Sequence, residues 1–366
     1  MKIALFCNTR YAGDAPKGVW PVPGHTYMPE VATRSMDRTL EQIRLGDEVG
    51  FDWLTVAEHH FAPFSMSPNP NVLAGALTQV VKRAKIALLG PDVPVLNPVR
   101  VAEEIAMLDT ISGGRIIAGL MRGTPNEYVT YNINPAESRE RFQEAVQLIR
   151  MCWTEPQPFG WQGRYYQHRS ISIWPRPVQQ PHPPIYMSAA TPESGEFAAQ
   201  NRLGIGFAFT TVQIASVAAD YYRKQCELNG WTPTPDQVIY RLGMHCTEDD
   251  EEGIEDLIEA GGGQPAVGLT MTNKALESAV AKSGYYGRDI DKQRARLQSR
   301  GEVRDRIEKG QVLVGTPKTI IAQIRRIKDI LGCGILDLSI GAQMGDKTLK
   351  SIEMFGKKVI PEIQAL

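Results

Sequence analysis

Short apolar runs rich in β-branched residues alternate along this chain with longer stretches whose apolar positions recur at helical spacing. The runs fall at about Lys2–Cys7, Asp52–Ala57, Ile86–Gly90, Arg115–Met121, Ile185–Ser188, Gly206–Phe209, Val238–Cys246 and Gly334–Ile340. The helical stretches cover about Thr33–Val49, Asn71–Val81, Val99–Asp109, Ser138–Trp153, Glu193–Asn201, Gln213–Asn229, Thr316–Leu331 and Lys347–Ile360. Strands without polar alternation are those buried on both faces, as in a parallel sheet covered by helices. Eight strand–helix units in unbroken succession predict a (β/α)8 TIM barrel, one domain over residues 1–366. Alternation alone also fits an open doubly wound sheet; the count of eight favours closure.

Two stretches interrupt the series. Gly163–Pro177 reads as a small hairpin with a proline-stiffened return to the fifth strand. Residues 247–315 read as a long insertion after strand seven, acidic at Glu248–Glu252, then glycine-rich, then helical and charged. It leaves the face where barrels build active sites, so it is expected to be either a mobile lid or a solvated helical outgrowth.

Composition narrows the class. Forty basic against forty-one acidic residues leave a net charge of −1, which argues against an electrostatic nucleic-acid binder. The five cysteines are scattered with no CxxC pair, which fits a reducing compartment rather than a disulfide or zinc framework. No apolar run approaches the ~20 residues needed to cross a bilayer, and the first is too short for a signal segment. A soluble, cytoplasmic protein is expected.

The chemistry gathers at strand ends. Ala57-Glu58-His59-His60-Phe61 closes the second strand, placing a carboxylate and two imidazoles on the catalytic rim of a barrel. Imidazole exchanges protons near neutral pH, and a neighbouring carboxylate orients it. Consecutive strand residues point to opposite sides, so His59 and His60 need not share a cavity, and hydrogen-bonded structural histidines are the competing reading. Metal-ligand spacings such as HExxH are missing. Gly119-Leu120-Met121-Arg122-Gly123 ends strand four, with Glu127-Tyr128 following; a glycine-flanked arginine suits a phosphate, or a surface ion pair. Ser188-Ala189-Ala190-Thr191-Pro192-Glu193-Ser194 closes strand five and opens a helix, with Thr191 as N-cap and Pro192 in the first turn. Its free N–H groups form an anion site or a plain cap. Gly261-Gly262-Gly263 has no nucleotide-fingerprint spacing.

Taken in order, these positions resemble the bacterial luciferase-like flavin monooxygenase family. The resemblance adds Gly50-Phe51-Asp52, Asn97-Pro98-Val99-Arg100, Leu108-Asp109, Ser112-Gly113-Gly114-Arg115 and Gly315-Thr316-Pro317 and runs through nearly the whole chain. It implies that His59 is the catalytic histidine, with His60 and Glu58 completing its motif. It implies that Arg122, Arg139, Thr191 and Ser194 bind the FMN phosphate, with Tyr128, Ser188 and Ala189 beside them. Leu89-Gly90 matches a strand end that carries a non-proline cis peptide under the flavin. Met121 stands where luciferase has a reactive cysteine, and Ala190 where it has glutamate, so light emission is not expected.

The function implied is a two-component monooxygenase: a separate flavin reductase delivers FMNH2, and this chain uses it with O2 to oxygenate a small organic compound such as an aldehyde or ketone. The rival on the same fold is hydride transfer with the deazaflavin F420, whose relatives more often carry Asp-His at strand two. A barrel that binds flavin without turnover is the third reading. The family resemblance also implies a homodimer through helices such as Asn71–Val81, whose small and apolar residues suit close packing.

Overall fold

The computed structural model describes residues 1–16, 19–208, 210–261, 302–340 and 344–364. Its strands are β1 (Lys2–Phe6), β2 (Trp53–Val56), β3 (Lys85–Asp92), β4 (Ile116–Met121), β5 (Phe159–Gln162), β6 (Gln167–Ile171), β7 (Ile185–Ser188), β8 (Gly204–Phe207), β9 (Val238–Cys246), β10 (Val312–Gly315) and β11 (Ile335–Ser339). Parallel pairing runs β1-β2-β3-β4-β7-β8-β9-β11 and returns to β1, a closed ring of eight. The predicted barrel is therefore present, with all eight expected strands in the ring.

Helices follow these strands and cover the outside: α1 (Pro29–Glu48), α2 (Pro70–Val80), α3 (Pro98–Ser112), α4 (Pro125–Thr130), α5 (Ser138–Thr154), α6 (Pro192–Gln200), α7 (Val212–Leu228), α8 (Asp250–Glu259), α9 (Val303–Glu308), α10 (Pro317–Leu331), α11 (Asp346–Lys358) and α12 (Ile360–Gln364). Several begin with proline at the first turn behind a polar cap. Asn69, Asn97, Thr191 and Thr316 each accept from backbone N–H groups of the first turn. Because each such helix starts beyond the C-terminal end of a strand, these caps ring the barrel mouth.

Two cores result. The larger lies between strands and helices. The smaller fills the barrel from within, with Ala4, Trp53, Ala87, Ile117, Tyr186, Ile239 and Ile335 below Leu89 and Met121. It forms the floor of the mouth.

The described ends of the expected insertion at residues 247–315 carry regular structure. Helix α8 follows β9 at once, and β10 pairs with the last four residues of β9 outside the ring of eight. Ile254, Val303, Val312 and Val314 bury one another there. Val312–Gly315 escaped the strand count because a four-residue, fully buried parallel strand shows no alternation beside a charged stretch. The expected lid falls largely on residues 262–301, outside the described residues. The hairpin expected at Gly163–Pro177 is the antiparallel pair β5–β6, beginning four residues earlier.

Candidate active site

The ends of β2, β3 and β4 converge on a cluster of acids and imidazoles. Gly90 explains how β2 and β3 come so close: a Cβ there would lie 2.4 Å from Ala57 Cα and 2.4 Å from the Glu58 nitrogen. Only a residue without a side chain permits that approach. The three cis peptides among the described residues precede Pro21, Pro175 and Pro181, so the cis bond expected at Leu89–Gly90 is absent. Close packing of Gly90 against the Ala57–Glu58 backbone accounts for the glycine.

His59 and His60 diverge, as alternation predicts, and each faces its own carboxylate. His60 Nε2 and Glu58 Oε1 are 3.0 Å apart, and both side chains are about 3% exposed. Glu58 Oε2 also accepts from the Asp92 backbone N–H at 3.2 Å, tying β2 to β3. The other face of His60 meets Tyr131, whose hydroxyl lies 3.5 Å from Nδ1. This pair is sealed.

His59 is the imidazole that reaches the mouth, with 18% of its side chain exposed. Its Nδ1 faces Glu127 Oε1 at 3.6 Å, an ion-pair separation just beyond hydrogen-bond length. Glu127 is buried and held from behind: its Oε2 accepts from the Thr124 N–H at 2.8 Å and from the Thr124 hydroxyl, the reciprocal box that starts α4. Burial pushes the Glu127 carboxyl up, but His59 and the Thr124 donors outweigh it and hold the group below its ordinary range. Asp92 is the opposite case. Burial, then the charges of Glu58 and Glu127, raise its carboxyl well above the usual range. Burial and the same acids raise the Tyr131 phenol.

A second group lies across the mouth. The pairing of β4 with β7 continues to bring Met121 beside Ser188, whose hydroxyl donates to the Met121 sulfur at 3.3 Å. Arg122 directly follows β4 and Ala189 directly follows β7. Thr191 caps α6, and its hydroxyl and that of Ser194 lie 3.1 Å apart. Arg139 sits in the first turn of α5, which is tied to α6 by the Phe142–Phe197 ring contact at 6.1 Å. Tyr128 is placed differently from the rest. It is fully buried, and its hydroxyl donates to the Arg122 carbonyl, so it holds the loop from below.

The expected residues therefore fall in two groups: an acid–imidazole cluster at the ends of β2 and β3, and residues at the end of β4 and the starts of α5 and α6. Sequence reading missed Asp92, Glu127 and Tyr131 as site members. The Thr124-Pro125-Asn126-Glu127 capping pattern was the available signal for Glu127; Asp92 and Tyr131 had none.

A family model described as luciferase-like monooxygenase matches residues 1–332. Among curated relatives, the oxygenase component of a flavin-dependent trigonelline monooxygenase from Acinetobacter baylyi is 30% identical over 45% of this chain and 46% of its own length. The chain thus spans about half the length of the first relatives it matches. An alkanal monooxygenase alpha chain from Photorhabdus luminescens is 25% identical over 92% of this chain and 95% of its own. Among solved structures, the oxygenating constituent of a 3,6-diketocamphane monooxygenase from Pseudomonas putida in complex with FMN superposes with a TM-score of 0.76 at 18% identity, covering 99% and 98% of the two chains. An F420-dependent secondary alcohol dehydrogenase gives 0.72 at 18% identity over the same shares.

Proposed function

This chain belongs to the luciferase-like monooxygenase family, and from that membership we propose that it is the oxygenase of a two-component system. Reduced FMN would come from a separate reductase, and with O2 the chain would oxygenate a small organic compound. One observation carries the reading: an imidazole backed by a buried, ionised carboxylate stands at the barrel mouth, on the segment that packs against Gly90. Bound flavin supplies the electrons and the oxygen chemistry.

The residues present fit such a cofactor. Arg122, Arg139 and the α6 N-terminus with Thr191 and Ser194 would hold its phosphate, since guanidinium and the positive end of a helix favour an anion. Ser188 and Ala189 would lie along the same edge. Leu89 and Gly90 would support the ring, and Gly90 leaves no side chain in the way.

The chain's own part is proton handling and exclusion of water. Glu127 favours a proton on His59 Nδ1, which leaves Nε2 to accept a proton from substrate or return one. Glu58 and His60, buried together, fix the segment that carries His59. They act as positioning residues in this reading. The apolar floor beneath Leu89 and Met121 keeps water from the reacting atoms.

Titrating the anaerobic protein with FMNH2, and separately with reduced F420, tests the cofactor assignment. Saturable FMNH2 binding supports the reading; saturation by F420 alone transfers the site to hydride transfer without oxygen. We also propose a homodimer through α2 and α3, which pack together and leave Val72, Met107 and Ile111 exposed. Sedimentation of wild type and Met107→Glu would separate dimer from monomer. Among the described residues no helix is long and apolar enough to cross a membrane; a cytoplasmic enzyme is part of the proposal.

A further inference from the structure

Arg241 and Asp337 take no part in the cluster above, yet they are charged residues inside the barrel. They are register partners on β9 and β11. Arg241 Nε donates to Asp337 Oδ2 at 2.6 Å, and Asp337 Oδ1 accepts from the Thr55 hydroxyl at 2.8 Å. Asp337 is wholly buried, whereas Arg241 keeps 15% of its side chain exposed. The guanidinium carbon lies 3.8 Å from the centre of the Phe6 ring. A hydrogen bond at Nε and a ring against the face fix both the position and the plane of the group.

Arginine–carboxylate pairs are frequently bidentate, with two parallel N–H···O bonds. Here Nε is the only nitrogen bonded to Asp337, and no described residue accepts from the two terminal amino groups. Neither terminal amino group is sealed from solvent, so both stay open to an incoming acceptor. They border a small open pocket, which Leu89, Met121, Tyr186, Ser188 and Phe207 also line. It is apolar apart from the Ser188 hydroxyl and this one ion pair. Leu89, Met121 and Ser188 belong equally to the rim assigned above to the cofactor, so the pocket adjoins that rim.

We propose that Arg241 is the substrate anchor and that the substrate class is small organic acids. The acid's carboxylate accepts from the two terminal amino groups of Arg241, and its hydrocarbon part lies against Leu89, Met121 and Phe207. Asp337, Thr55 and Phe6 are positioning residues that aim the guanidinium. The word substrate rests on the oxygenase reading; carboxylate binding does not, and is measured without flavin.

The test is calorimetric titration of the flavin-free full chain with acetate, benzoate and cyclohexanecarboxylate, each compared with its primary amide. At least one acid binds about tenfold or more tightly than its amide, as charge-assisted hydrogen bonds require. Arg241→Gln brings that acid down to the affinity of its amide, while Arg241→Lys, which keeps the charge but loses the fork, falls between. If Arg241→Gln does not fold, the wild-type acid–amide comparison and Arg241→Lys still decide. Equal affinity for all three acids and their amides overturns the proposal, as does an acid preference that survives in Arg241→Gln. Failure here with intact FMNH2 binding removes the substrate class alone; failure of FMNH2 binding with intact acid binding removes the cofactor reading alone.

Discussion

Gly90→Ala separates a close-packed strand crossing from an incidental glycine. The added methyl would lie 2.4 Å from Ala57 Cα, 2.4 Å from Glu58 N and 2.6 Å from the Ala57 carbonyl carbon. Ordinary contact between such atoms is about 3.5–4.0 Å, so one backbone must move by ~1 Å. Neither neighbour is a flexible side-chain end, and overpacking of this kind costs about 1–3 kcal/mol. With unfolding entropy of ~2 cal/mol/K per residue, 366 residues unfolding together give ~1.3 °C per kcal/mol, hence a fall in Tm of about 1–4 °C. The shift also moves Glu58 and the segment bearing His59, so FMNH2 affinity falls by about tenfold or more. Differential scanning calorimetry at fixed scan rate and anaerobic fluorescence titration read the two effects. Gly24→Ala is the control, because nothing lies within 4 Å of its Cβ position. A Gly90→Ala protein indistinguishable from Gly24→Ala in both measurements would refute the packing argument.

Further outcomes are expected at the site. Arg122→Met lowers FMN affinity by about tenfold or more and leaves riboflavin, which has no phosphate, within about twofold; equal loss for both would remove the phosphate assignment. Glu127→Gln keeps the reciprocal box with Thr124 but removes the charge facing His59, so Tm changes by less than ~1 °C. In that variant oxidised FMN appears after oxygen addition at least about tenfold sooner than in wild type, measured by stopped-flow absorbance. Asp92 titrates above its unfolded value of about 3.9, so its native proton stabilises the fold in acid and that stability is lost as pH rises towards the folded value. Asp92→Asn therefore raises Tm more at pH 7.5 than at pH 4.5, and the reverse ordering would contradict the burial argument.

The barrel was legible because buried parallel strands write themselves as short apolar runs; Ile116–Met121 and Ile185–Ser188 lie where such runs stand in the sequence. Helix starts were equally plain, since Thr191-Pro192 and Thr316-Pro317 carry cap and first turn in adjacent letters. Strand β10 was lost because four apolar residues beside a charged stretch resemble the end of a helix as much as a strand. At the site, His59 and Arg122 were visible from their place at strand ends. Their partners were not. Asp92 comes from another strand, and spatial adjacency of residues dozens of positions apart leaves no local trace; Glu127 was marked only by its capping pattern with Thr124. Some motifs of the family pattern prove to be scaffolding: Asp109 accepts from the Gln179 backbone and side chain, and Arg115 donates to the Ala84 and Thr78 carbonyls. Arg241 and Asp337 did leave a signal, a charge in the middle of an otherwise largely apolar strand.

The most direct test of the oxygenase reading is rapid mixing of the anaerobic protein–FMNH2 complex with oxygen while oxidised FMN is followed by absorbance. The account predicts that oxidised FMN appears at least about tenfold later than from free FMNH2 under the same oxygen concentration, because the barrel mouth and the His59–Glu127 pair govern water and protons at the flavin. Oxidation at the rate of free FMNH2 would contradict it.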